Sequence, residues 1–244
     1  FDERNRAWIE TMVNQAAIAN KNAILYSEVL ADNKENDKLE ESLTKVNKER
    51  ELLAYEASNR VKENMKIISS LLQFQSDYVK DPVYHEYFKI ARSRAQVLAM
   101  IQDKLYSGGS VTDIEIESFL HTLIPHLYDT FDISLNRIST YINVKHVFLP
   151  VDKAITCSMI INELLSHSLL HSFPNRKKGN ITIDMHEEKD GKYYLSVRDN
   201  GMGVISPKGR PHTFSMVLVG MFVKNIGGTF EIDRKTGTKV VIKF

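Results

Sequence analysis

INELLSHSLLHSFP, from Ile161 to Pro174, closes an apolar helix that the sequence predicts from Val151 to Ser172, with Phe173-Pro174-Asn175 as its stop. Downstream, Asn180–His186 and Lys192–Arg198 alternate apolar and polar residues around Lys189-Asp190-Gly191, which predicts a β-hairpin. Phe214–Ile226 reads as a helix ended by Gly227-Gly228. Thr229–Asp233 and Lys239–Phe244 are two further strands around Lys235-Thr236-Gly237. Upstream, Ile114–Thr130 reads as a helix and Arg137–Leu149 as a strand. The order α-β-α-β-β-α-β-β predicts an α/β sandwich with helices on one face of a mixed sheet.

The N-terminal part is built differently. Before Gly108 there is no glycine, and Pro82 is the only proline. Trp8, Met12, Ala16, Ala19 and Ala23 step by four and three, as on a helix. After the polar stretch Ala31–Lys38, the residues Leu39, Leu43, Val46, Arg50, Leu53 and Ala57 keep an a/d-like register. That register predicts a short two-stranded coiled coil, with a solvated single helix as the alternative. The helix continues through Val61, Met65, Ile68, Leu71 and Leu72 to a break at Asp81-Pro82. A second helix carries Tyr84, Phe88, Ala91, Ala95, Leu98, Ile101 and Leu105 and ends at Ser107-Gly108-Gly109. One antiparallel hairpin cannot bury both apolar stripes; two hairpins in a dimer form a four-helix bundle that can. The fold class expected is α+β: a dimeric helical hairpin followed by an α/β sandwich.

Composition narrows the function. The chain has 244 residues, 43% hydrophobic and 26% charged, which suits a globular protein and not a disordered tail. A single cysteine excludes an internal disulfide and favours a reducing, cytoplasmic setting. Lys+Arg 32 against Asp+Glu 31 gives a net charge of +1, no footprint for nucleic acid. No apolar run is long enough to span a membrane. The first residue is Phe1, and the sequence reads as a piece of a longer chain.

Three stretches resemble one family in order and spacing. EASNRVKEN (Glu56–Asn64) followed by IISSLL (Ile67–Leu72) resembles the phosphoacceptor box of sensor histidine kinases of the HRxKN-box subclass, E-I-H-H-R-V-K-N-N-L-Q-I-I-S-S-L-L. Ile161–Pro174 resembles their N box, N-E-L-V-T-N-A-L-K-H-A-F-P, and VRDNGMG (Val197–Gly203) their first glycine box. The N-terminal helix, with Trp8-Ile9-Glu10 and Asn14–Ala19, resembles the last helix of a GAF sensor domain. The resemblance implies four regions: a sensor-domain helix at 1–30, a coiled-coil linker at 31–52, a dimerisation hairpin at 53–110 and a GHKL-type ATPase-like domain at 111–244.

Against the family pattern the chemistry is degenerate. The phosphoacceptor histidine falls on Asn59 and the histidine before it on Ser58. An amide nitrogen with a delocalised lone pair is a very poor nucleophile for a γ-phosphoryl group. The family asparagine that holds Mg²⁺ falls on His167, and a nitrogen ligand suits that hard cation badly. The phosphate-binding lysine falls on Leu170. In the second glycine box, Thr213–Val219, the glycine is Ser215, whose Cβ stands where backbone must approach phosphate. Asp199, Gly201 and Gly203 match the family's adenine-reading turn, and Asn162, Glu163 and His171 match the N box.

The resemblance therefore implies a nucleotide pocket lined by Asp199, Gly201, Gly203, Asn162, Glu163 and His167, with weak ATP or ADP binding, a poor fit for Mg²⁺, no intact catalytic residue and no cofactor required. His167 and His171 at i, i+4 share a helix face, a spacing seen in zinc sites, but the sequence offers no third ligand. The function expected is a dimeric pseudo-histidine kinase that relays a sensor input to a receiver domain or an active kinase, with no nucleic-acid or membrane contact in this piece. The alternative is a divergent ATP-binding enzyme or ATP sensor in a two-component pathway.

Overall fold

A computed structural model gives the protein's structure and describes residues 3–105, 113–174, 178–202 and 214–244. The chain forms two compact units, one up to Ala54 and one from Tyr55 onward. Helix α1 spans Glu3–Tyr78. The polar stretch Ala31–Lys38 is helical within it, because no glycine or proline there interrupts the hydrogen-bond ladder. In the first unit the register residues Leu39, Leu43, Val46 and Leu53 are all exposed on the single chain. No helix of the described residues is long and apolar enough to cross a membrane.

In the second unit, the end of α1 and helix α2 (Pro82–Leu105) form the expected hairpin. Pro82 opens α2 with its fixed φ, and the Asp81 carboxylate accepts from the Val83 N–H at 2.9 Å. Ser76 and His85 meet beside the turn at 2.9 Å, and Ser58 donates to Gln102 at 2.8 Å near the far end, so the helices run antiparallel. Lys62 pairs with Asp103 beside the Ser58–Gln102 contact.

The first two residues expected in a helix at Ile114 form a short strand instead. Strand β1 (Ile114–Glu115) pairs antiparallel with β3 (Phe148–Leu149), and the Ile116 N–H continues onto Val147 O at 3.0 Å. Helix α3 then spans Ile116–Thr130. The main sheet has the order β2-β4-β5-β7-β6: Ile138–Val144, Gly179–Glu187, Tyr193–Asp199, Lys239–Lys243 and Thr229–Asp233. β2 and β4 are parallel and every other neighbouring pair is antiparallel. A parallel pair requires a crossover, supplied by α4 (Val151–His167) and the π-helical turn Ser168–Ser172.

Period-two alternation sets the layers. Ile181, Ile183 and Met185 of β4 are buried, while Thr182, Asp184 and His186 lie on the other face. Helices α3, α4 and α5 (Phe214–Asn225) pack on the buried face, and α2 packs on α3 and α4. Phe119, Leu123, Ile160, Ile161, Leu165, Ile183, Leu195 and Ile242 form the centre of the core. Each contributes roughly 1.5–3 kcal/mol by burial. Val97 and Ile101 join it from α2.

Candidate functional site

The phosphoacceptor box lies on the part of α1 that faces α2. Asn59 is half-buried there. Ser58 is buried, and its hydroxyl donates to Gln102 Oε1. A hydroxyl committed to that bond is not presented as a nucleophile.

The N box lies on α4, and α2 engages its first two residues. Ser93 Oγ donates to Asn162 Oδ1 at 2.9 Å with both residues fully buried. Arg94 forms a bidentate pair with Glu163, Nε to Oε1 at 2.6 Å and a terminal nitrogen to Oε2 at 2.8 Å. Glu163 is fully buried, so this fork is what compensates its lost hydration. The Arg94 guanidinium also lies 5.4 Å over the Phe214 ring at the start of α5.

Asp199 ends β5 as a buried hub. Its Oδ1 accepts from the Gly201 N–H at 2.9 Å and the Thr238 N–H at 3.2 Å. Its Oδ2 accepts from Ser168 at 3.1 Å and Ser172 at 2.9 Å. Glycine is needed on both sides of this hub. A Cβ at Gly201 would stand 2.3 Å from the Ser172 carbonyl oxygen, and one at Gly237 (φ +85°) would stand 2.0 Å from the Asp199 carbonyl oxygen.

His167 occupies the position that the resemblance assigns to the metal ligand. His167 is 5% exposed, and its ring meets His171 edge-on at 5.2 Å between centroids. Burial, reinforced by the neighbouring His171 and Arg234 charges against the opposing pull of Asp199, lowers the His167 pKa to about 4. Its imidazole is therefore neutral at pH 7. His171 extends to Glu86 of α2 at 3.7 Å. Leu170, at the lysine position, packs against the hydrophobic core. Ser215 is half-buried in the first turn of α5. These residues do not fit Mg²⁺: the donor is a neutral nitrogen, and the phosphate-side cation is an aliphatic side chain.

The structure thus places His167 within electrostatic reach of Asp199, holds Gly201 beside that carboxylate, and brings Asn162 and Glu163 onto α2. Gly203 and Thr213 lie outside the described residues. Sequence reasoning missed Ser168 and Ser172, although both stand where the family pattern has alanine. It also missed Ser93 and Arg94, whose partners are 69 residues away and leave no local signal.

Known proteins agree with this architecture. Residues 56–131 match the HisKA_2 family, described as histidine kinase. The sensor histidine kinase PdtaS of Mycobacterium tuberculosis is 24% identical over 205 residues, covering 77% of this chain and 38% of that protein; strains CDC 1551 and H37Rv match alike. This chain thus spans well under half of that relative. The histidine kinase domain of the Erythrobacter litoralis EL346 blue-light activated histidine kinase superposes with a TM-score of 0.56 at 18% identity, over 73% of this chain and 95% of that one. A second structure of the EL346 kinase gives 0.59 at 17% identity, over 77% and 58%. At such identities the superpositions establish the fold. Residues 56–131 thus match the HisKA_2 histidine kinase family, in a chain similar in sequence to a sensor histidine kinase and folded as a helical region followed by a mixed α/β domain.

Proposed function

We propose that this chain is a pseudo-histidine kinase of two-component signalling, a dimeric module that relays a sensor input to a partner without phosphorylating itself. The observation that carries the proposal is the phosphoacceptor position: Asn59 has no nucleophilic nitrogen, and its neighbour Ser58 is buried against Gln102. The pocket supports it from the other side. Phosphoryl transfer is mostly positioning and charge neutralisation. Here the family acid Glu163 is clamped by Arg94, His167 replaces the oxygen donor, and Leu170 replaces the cation.

The exposed apolar residues of the hairpin, Ile67, Ile68, Leu71 and Phe74 on α1 and Val83 and Tyr84 on α2, support a second copy of the chain as the primary partner. The GAF-like N-terminal helix makes the input an upstream sensor. The output partner is a receiver domain or an active kinase, in a cytoplasmic setting.

A divergent ATP-binding enzyme is the second reading, favoured by the retained Asp199 and Gly201. Calorimetry with ATP separates the two. The pseudokinase reading expects weak binding that Mg²⁺ does not improve. Mg²⁺-dependent tightening of tenfold or more, abolished in Asp199→Asn, would overturn it in favour of the enzyme.

A further inference from the structure

A carboxylate has about four lone-pair positions. All four of Asp199's are filled from within the chain, at 1% exposure. The two donors on Oδ1 are backbone N–H groups, supplied by the turn after β5 and the turn before β7 whatever side chains those turns carry. The two donors on Oδ2 are different: they are side-chain hydroxyls, and alanine at either position would leave nothing there. Ser168 and Ser172 are four residues apart on the π-helical turn, so both reach the same oxygen. The turn is held from behind, because Met202 N–H donates to the Ser172 carbonyl at 3.0 Å and Gly201 packs against Ser172 so closely that a Cβ there would stand 2.3 Å from the same carbonyl oxygen.

Taking this pocket as the nucleotide pocket of the proposed function, we propose that Ser168 and Ser172 are specificity-determining residues that make it blind to the amino group of an adenine base. An exocyclic amino group is a hydrogen-bond donor and needs a fixed acceptor. Oδ2 already holds two O–H donors, so it offers none. What the serines present in its place is ambivalent, because a hydroxyl donates or accepts by rotation. A base bearing an amino group and one bearing a carbonyl at the same position then interact alike.

The test measures binding of adenosine diphosphate and inosine diphosphate, without metal, to the wild-type chain, to Ser168→Ala/Ser172→Ala, and to Ser172→Thr, which keeps a hydroxyl. The two nucleotides differ only in the purine 6-substituent and its ring proton. Wild type and Ser172→Thr are expected to bind both within about twofold, or neither. The double alanine variant is expected to prefer the adenine nucleotide by about tenfold or more, the scale on which a buried acceptor discriminates a donor. Circular dichroism reports whether that variant is folded; if it is not, Ser172→Ala replaces it, with a smaller preference in the same direction.

A wild-type preference of tenfold for the adenine nucleotide overturns the proposal. So does a folded alanine variant that gains no such preference. Phosphate incorporation from labelled ATP, run on the same samples, keeps the two claims apart. Adenine preference without label removes the serine role and leaves the pseudokinase standing. Label in a wild type that treats both bases alike does the reverse.

Discussion

In the proposed reading Asn59 decides the chemistry, because a side-chain amide nitrogen cannot do what an imidazole nitrogen does. Asn59 and His167 are both visible in the sequence as departures from the pattern it resembles. The consequence of burying His167 is not. With its pKa lowered from 6.5 to about 4, the folded protein resists a proton that the unfolded chain accepts. The unfolded state binds more protons between those values, so stability is full above about pH 6.5 and falls as the pH drops toward 4. The loss is about 3 kcal/mol. Urea unfolding at pH 7 and pH 4.5 is expected to show a smaller acid loss in His167→Gln than in wild type. Cys157 offers a second check. Burial in α4 pushes its thiol up to about 12, so a thiol reagent at pH 8 is expected to modify it only after denaturant is added. Ser168 and Ser172 were illegible as a pair because their common partner, Asp199, lies 31 and 27 residues away.

The contact between α2 and α4 is the element-scale feature that matters most. Ser93 on Asn162 and Arg94 on Glu163 make a polar layer between a hairpin helix and the N box. Removing one member of a buried ion pair strands the other without hydration. Arg94→Met is expected to destabilise the fold by about 3 kcal/mol, the low end for such pairs because the Arg94 side chain keeps 22% exposure. Arg94→Met/Glu163→Leu is expected to recover most of that loss in thermal or urea unfolding, giving a coupling that single variants cannot supply. Losses that simply add would show the pair to be unimportant. Element identity was largely readable: the β4–β5 hairpin was read from its alternation, and Asp81-Pro82 marks the turn between α1 and α2. Two features escaped. β1 is two residues, too short to carry a period, and the one strand expected over Arg137–Leu149 is split into β2 and the two-residue β3, which pairs with β1. The unbroken helix over Ala31–Lys38 is polar enough to read as a linker, yet contains nothing that stops a helix.

On the scale of the whole molecule, the apolar residues left open on α1 and α2 demand cover. Ile67, Leu71, Phe74 and Tyr84 are each exposed on the single chain. Light scattering at micromolar concentration is expected to give twice the 28.0 kDa chain mass. Replacing Ile68 and Leu71 by glutamate is expected to yield the single mass with the sheet domain still folded; a wild-type monomer would remove the bundle from the account. The helical region followed by the α/β domain was read from sequence pattern and agrees with the solved histidine kinase folds. What the molecule does with that fold turns on a single question, whether phosphate ever arrives. The purified chain, incubated with γ-labelled ATP and Mg²⁺ and counted after removal of free nucleotide, is predicted to carry no label, and so is the Asn59→His variant. Label retained on the wild-type chain would contradict the account at its centre.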